Sequence, residues 1–270
     1  MTTNNPQGEH ATFAALLQAA ISEPGKIHEA FHAFHNYSIG NQLLALIQCQ
    51  QRGIEPGPLA NFNRWKERGR HVRKGQKAIE LCMPVTVKRT VEGEADQTGE
   101  VAFTRFIYRR NWFVLAQTEG RAYVAESLSS WDKSRALQSL GIQQIPFDLL
   151  DGNTWGYARG KQIAVSQISP MPERTLLHEV AHVVLGHTAE GIEQDGPRTP
   201  RNLREVEAEG VALLCAAALG LDGAEYARGY LQSWLRGDDI PERSAQRIFK
   251  TADTILRAGN TANTTSGAQL

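Results

Sequence analysis

Cysteine is scarce: Cys49, Cys82 and Cys215 make three in 270 residues. An odd number at wide spacing builds neither a disulfide framework nor a cysteine zinc cluster, and it suits a reducing compartment. Net charge is missing too, with 29 basic residues against 29 acidic ones. Any attraction to nucleic acid must come from a local patch and not from the field of the whole chain. The N-terminus has no basic stretch followed by a long apolar core, so no signal peptide is expected. No apolar run approaches the ~20 residues that a bilayer span needs. There is no internal repeat. These absences lead us to expect a soluble, cytoplasmic protein without membrane partners. What is present supports a folded chain: 41% hydrophobic residues can bury a core, and the length suits one large or two ordinary domains.

The stretch with chemistry in it is Leu176-Leu177-His178-Glu179-Val180-Ala181-His182-Val183-Val184. Leu177, Val180, Ala181 and Val184 recur at helical spacing, Pro172 suits a first turn, and Gly186 suits a stop. Positions i and i+4 share a helix face, so His178 and His182 can aim two imidazoles at one divalent ion, in the first instance zinc. Glu179 is rotated toward the same cavity, where a carboxylate can take a proton from water. A metal-dependent hydrolase needs this arrangement. A third ligand is available downstream. The run from Arg204 to Leu214 reads as a second helix with Val211, Leu214 and Ala218 on an apolar stripe. It carries Glu205 and Glu209 at i and i+4, and spacing alone leaves either as the ligand. Glu207 is expected in solvent, and His187 off the metal face. The pattern resembles thermolysin-like and ImmA-like zincins. That resemblance implies Glu205 as the ligand and Glu209 as the carboxylate that orients a ligand histidine through its free ring N–H. No residue that would stabilise an oxyanion stands out; Tyr157 is the nearest candidate.

A second stretch is basic. Between Asn61 and Lys77 stand Arg64, Lys66, Arg68, Arg70, Arg73, Lys74 and Lys77, opposed by Glu67. Gly69 and Gly75 let backbone N–H groups approach a phosphate, and Phe62 and Trp65 offer stacking faces. Basic groups interleaved with aromatics can hold single-stranded nucleic acid without reading its sequence. The competing reading is a solvated charged turn with Trp65 in the core.

Around these stretches the chain reads as mixed helix and strand. Ile79, Leu81, Met83, Val85 and Val87 alternate with polar or small residues, predicting a half-buried strand in which Pro84 marks an edge or bulge. Residues 89–100 are expected as a loop and 101–115 as one or two strands. Residues 131–140 are expected as a helix, and 152–167 as a hairpin around Gly160-Lys161. Tyr226–Leu235 and Ser244–Ile255 are expected as closing helices. Residues 1–10 and 259–270 read as loose ends.

Taken in order, Tyr37-Ser38 with Asn41 and Leu43-Leu44, then Trp65 with Gly69-Arg70 and Val72-Arg73-Lys74-Gly75, then Gln117-Thr118-Glu119-Gly120, resemble the N-terminal domain of ArdC-type plasmid antirestriction proteins. Gly156-Tyr157-Ala158-Arg159, Ile163-Ala164-Val165 and the His178 motif continue the likeness. The resemblance implies an α+β chain of two domains. Residues 1–125 would bind single-stranded DNA through the Arg64–Lys77 segment. Residues 126–258 would form a zincin-like metallopeptidase domain acting on an unidentified protein or peptide, with 259–270 as a tail. Two rivals remain open: an ImmA-like regulator that cleaves a repressor, and a non-catalytic DNA-coating protein with a structural metal site.

Overall fold

A computed structural model describes residues 11–92, 98–124, 128–149, 154–188, 199–235 and 239–261. Residues 1–10 and, of the tail expected at 259–270, residues 262–270 lie outside the described residues. Helix and strand are mixed as expected. The chain divides into two compact units, Leu44–Ala125 and Ala11–Leu43 together with the residues from Glu126 onward.

The first unit is built on an antiparallel sheet ordered β1-β4-β3, from β1 (Leu59–Asn61), β3 (Ile79–Glu92) and β4 (Thr98–Val114). The alternation from Ile79 to Val87 falls on β3, with Ile79 and Leu81 fully buried. Pro84 sits on this edge strand, where a missing N–H costs least. The register shifts between Ile79 and Glu80. The loop expected at 89–100 is shorter than the sequence suggests: β3 continues to Glu92 and β4 begins at Thr98. Cross-strand pairing overrides the polar composition there. The short helix α4 (Phe62–Glu67) is capped by Asn61, whose side chain accepts from the Arg64 amide at 2.9 Å. A two-stranded ribbon of β2 (Arg70–Val72) and β5 (Thr118–Gly120) completes the unit.

Trp65 occupies the centre of this unit and is not a stacking face. It is 0% exposed, donates from Nε1 to the Phe113 carbonyl at 2.8 Å and meets the Tyr123 ring edge-on. An indole with its one donor satisfied is ordinary core packing.

The second unit is mainly helical. Helix α7 (Arg201–Leu219) is buried from Val206 to Ala216 and packs against α2 (Lys26–Phe34), α6 (Pro172–Val184), α8 (Ala224–Leu235) and α9 (Glu242–Gly259). Gly210 permits a close approach to α9: a Cβ there would lie 2.9 Å from Ile248. A small sheet, ordered β6-β8-β7, holds β6 (Gln143–Gln144), β7 (Gly156–Arg159) and β8 (Gln162–Val165). Its hairpin turns at Gly160, in the left-handed region, as expected.

Ala11–Leu43 does not follow the division at residue 125 drawn from sequence, and helix ends explain why. Free N–H groups at a helix start and free carbonyls at its end need partners. The start of α1 (Phe13–Ser22) donates to Glu242 from Phe13 and Ala14 at 3.1 and 2.9 Å. Its last carbonyls, at Ala20 and Ile21, accept from the buried Arg228 guanidinium at 2.6 Å each. The start of α3 (Ile39–Arg52) donates from Ile39 to Asp253 at 2.8 Å. All three partners come from α8 and α9. The end of α9 is fixed as well: Asn260 bridges to Trp131, so the predicted tail begins later than residue 259.

Trp65→Ala should destabilise the first unit by about 3–5 kcal/mol, since it empties a core site and strands the Phe113 carbonyl. Denaturant unfolding of the full chain checks this; an unchanged transition would place Trp65 at the surface.

Candidate metal centre

Helix α6 presents His178 and His182 one turn apart, as the sequence predicts, and their Nε2 atoms lie 3.1 Å apart. Glu205, from the first half of α7, brings a carboxylate oxygen within 3.5 Å of His178 Nε2 and 3.6 Å of His182 Nε2. One ligand atom from each of the three lies within 4.8 Å of the others, and no second such group of His, Cys, Asp and Glu occurs among the described residues. The His28, His32 and His35 series on and after α2 forms none.

The outward nitrogens of both rings are already committed. His178 Nδ1 is 3.0 Å from Glu209 Oε2, and Glu209 is held from its other side by the Arg174 guanidinium. His182 Nδ1 is 3.0 Å from His187 Nδ1, and His187 Nε2 is 3.0 Å from Glu207 Oε2. Arg247 closes this chain on Glu207 at 2.9 Å and also donates to the Leu185 carbonyl. With Nδ1 of each ring turned outward, both Nε2 atoms face Glu205. Without an ion a proton on Nε2 bridges to the Glu205 carboxylate; a divalent cation displaces that proton and meets three ligand atoms at once. Two imidazoles and one carboxylate suit zinc or a similar divalent ion and leave a position open.

The electrostatics agree. Burial opposes charge on His178, but hydrogen bonds to Glu205 and Glu209 outweigh it and raise its pKa to about 9. Hydrogen bonds from the two histidines hold Glu205 far below the usual carboxylate range. Burial works against ionised Glu209, yet His178 and Arg174 hold its pKa down. Glu179 goes the other way: it is 7% exposed, and burial raises its pKa against the pull of the histidines. Its neighbour across the site is Gly156 of β7, where a Cβ would stand 3.0 Å from Glu179 Oε1.

Two sequence expectations are corrected here and one is extended. Glu207 is not solvated; it is 0% exposed because His187 and Arg247 take up its charge. His187 is off the metal ligands, as expected, but it is the hydrogen-bond partner of His182, a role that its spacing did not suggest. Tyr157 does not aim at the site, since its hydroxyl donates to Asp148 at 2.6 Å. Arg174 and Arg247 were invisible to periodicity, for nothing in their spacing marks a partner from another helix.

The basic segment from Arg64 to Lys77 is split by the fold. Arg70 is bound to Thr118 and to the Arg121 carbonyl, Arg73 to the Ala116 carbonyl, and Arg68 lies over the Trp65 and Tyr123 rings. Arg64 pairs with Glu67 at 3.6 Å. Lys66, Lys74 and Lys77 are exposed, and so is Phe62.

Fold and site together define an α+β protein with a helix-borne His-Glu-x-x-His centre completed by a glutamate from the next helix. Residues 18–113 match the family described as the N-terminal domain of anti-restriction factor ArdC. The fold is ArdC-like across nearly the whole chain. It is similar to the metal-free crystal structure of the antirestriction ArdC protein from the R388 plasmid, at 21% identity and a TM-score of 0.52, covering 92% of this chain and 94% of that one. It is similar also to the Mn(II)-bound structure of that protein, at 21% identity and a TM-score of 0.50, covering 93% and 98%. No curated protein matches. Among the described residues no helix is long and apolar enough to cross a membrane.

NMR titration of metal-free protein should find one imidazole that keeps its proton to about pH 9, and Glu209→Gln should lower that value. Because the folded pKa lies above the ordinary 6.5, the stability that it contributes is complete below about 6.5 and is lost as pH rises through about 9. A His178 that titrates near 6.5 would contradict the geometry.

Proposed function

We propose that this chain binds single-stranded DNA through its first unit and holds one divalent ion in its second, where it hydrolyses peptide bonds, in the manner of an antirestriction protein that accompanies incoming DNA. The observation behind the metal and peptidase reading is the meeting of His178, His182 and Glu205 beside buried Glu179. Support for DNA comes from the ArdC N-terminal domain match and from the lysines exposed on the same unit.

The ion, when bound, supplies Lewis acidity toward water and the scissile carbonyl. The protein's own groups do the rest. His178 and His182 present Nε2, and Glu205 presents a carboxylate oxygen. Arg174 and Glu209 keep the His178 ring oriented, and Arg247, Glu207 and His187 do the same for His182. Glu179, its pKa raised by burial toward the working range of a general base, accepts the water proton at a carboxylate oxygen and delivers it to the leaving amine. Three protein ligands, not four, fit a catalytic centre better than a structural one.

Elemental analysis should find about one divalent ion per chain, lost in His178→Ala and His182→Ala. Glu179→Gln should keep the ion and lose at least ~100-fold in peptide hydrolysis. Glu205→Ala should abolish binding, whereas Glu209→Ala should cost roughly 10–100-fold in affinity. Metal retained in both histidine variants would refute the site, and the reverse glutamate ranking would exchange the two roles.

In a fluorescence titration the full chain should prefer single-stranded to duplex DNA, with affinity falling as salt rises, because neutralised phosphates release counterions. Equal binding to both forms, or none at low salt, would remove DNA from the reading.

A further inference from the structure

The first unit contains an open pocket of about 450 Å³ between the end of α3 and the turn that follows β2. That volume falls within the roughly 300–1,000 Å³ of small-molecule sites. Its walls carry Arg52, Arg73 and Lys77 against one acid, Glu55, with Ile54 and Ala116 as the apolar side chains among them. Two of the cations are anchored. Arg52 donates to the Ala78 carbonyl at 3.0 Å and to Gln48 Oε1 at 3.0 Å. Arg73 is bound to the Ala116 carbonyl. Gln117, buried, fixes the floor by accepting from the Val114 amide and donating to the Lys77 carbonyl. The turn from Arg73 to Gln76 passes through Gly75 at φ 86°, with open space where a side chain would stand. Lys77 is exposed, and among the described residues nothing pairs with its ammonium.

We propose that this cavity receives one nucleotide of a single strand, its phosphate at Arg73, Lys77 and the Gly75 turn, its base against Ile54 and the Arg52 guanidinium plane. Anchored arginines lose little freedom when an anion arrives, a guanidinium plane stacks on a base, and a lone lysine supplies charge. The proposal rests on the single-strand reading above and gives strand preference a source other than Trp65, since a base paired within a duplex is already stacked and cannot turn onto the Arg52 guanidinium.

The test is anisotropy of a labelled thymidine oligonucleotide with the full chain. Lys77→Glu should lose about tenfold in affinity, whereas Lys66→Glu, the same charge change outside the cavity, should lose about twofold. Ile54→Trp fills the cavity without altering charge and should lose about tenfold with an unchanged salt slope. Circular dichroism monitors folding; if Ile54→Trp unfolds, the two lysine variants decide between them. Equal losses in both lysine variants would overturn the cavity and leave a diffuse basic surface. So would displacement of the oligonucleotide by polyglutamate at equal charge. Pocket variants that bind like wild type overturn this proposal alone. A wild-type chain that ignores single strands overturns the parent reading together with it.

Discussion

A buried carboxylate is tolerated only when its charge is taken up, and α7 buries two within three residues: Glu207 at 0% exposure and Glu209 at 2%. They lie on different sides of the helix, so the answering charges come from different places. Glu209 meets Arg174 and His178 of α6. Glu207 meets His187, just beyond α6, and Arg247 of α9. A slip of α7 by one residue would break both sets together. The register of α7 against α6 and α9 is therefore specified by charge, and against α9 by the packing of Gly210 on Ile248 as well. That register is what carries Glu205 to the two Nε2 atoms.

Legibility in the sequence followed how local the determinant is. His178 and His182 needed only helical spacing, and the hairpin at Gly160 needed only alternation and a glycine. Glu205 and Glu209 were visible as an i, i+4 pair, and their different surroundings now separate them: one is half-exposed between imidazoles, the other buried against an arginine. What stayed hidden depended on partners far along the chain. Glu207 reads as solvated because the groups that take up its charge are far off in sequence: His187 stands 20 residues earlier and Arg247 40 residues later. Ala11–Leu43 reads as part of the first domain because the groups that cap α1 and α3 lie more than 200 residues away.

The Arg64–Lys77 segment teaches a related lesson about charge runs. Composition treats its seven cations as equivalent, but the β2–β5 ribbon uses some of them as backbone clamps. Gly120, with φ 123°, passes so close to Gly69 that a Cβ would lie 2.6 Å from its carbonyl. Arg70 stitches that crossing to Thr118 and Arg121. Such a residue serves the fold first, because three of its five donors are engaged within the ribbon. Cations that remain in solvent keep theirs for a ligand, and they sit mainly on the turn after β2.

Gly156 links the fold to the chemistry proposed for Glu179. Its backbone is not left-handed, so conformational freedom is not the reason for glycine there. Space is: a Cβ would stand 2.7 Å from Thr175 and 3.0 Å from the Glu179 carboxylate. The absence of a side chain lets β7 lie directly against α6 and roof Glu179. That roof supplies the burial that raises the carboxyl pKa. A larger residue would push strand and helix apart, admit water and return Glu179 toward the ordinary carboxylate range, weakening it as a base even with every metal ligand in place. The proposed base is thus tuned by a glycine that acts only by leaving room.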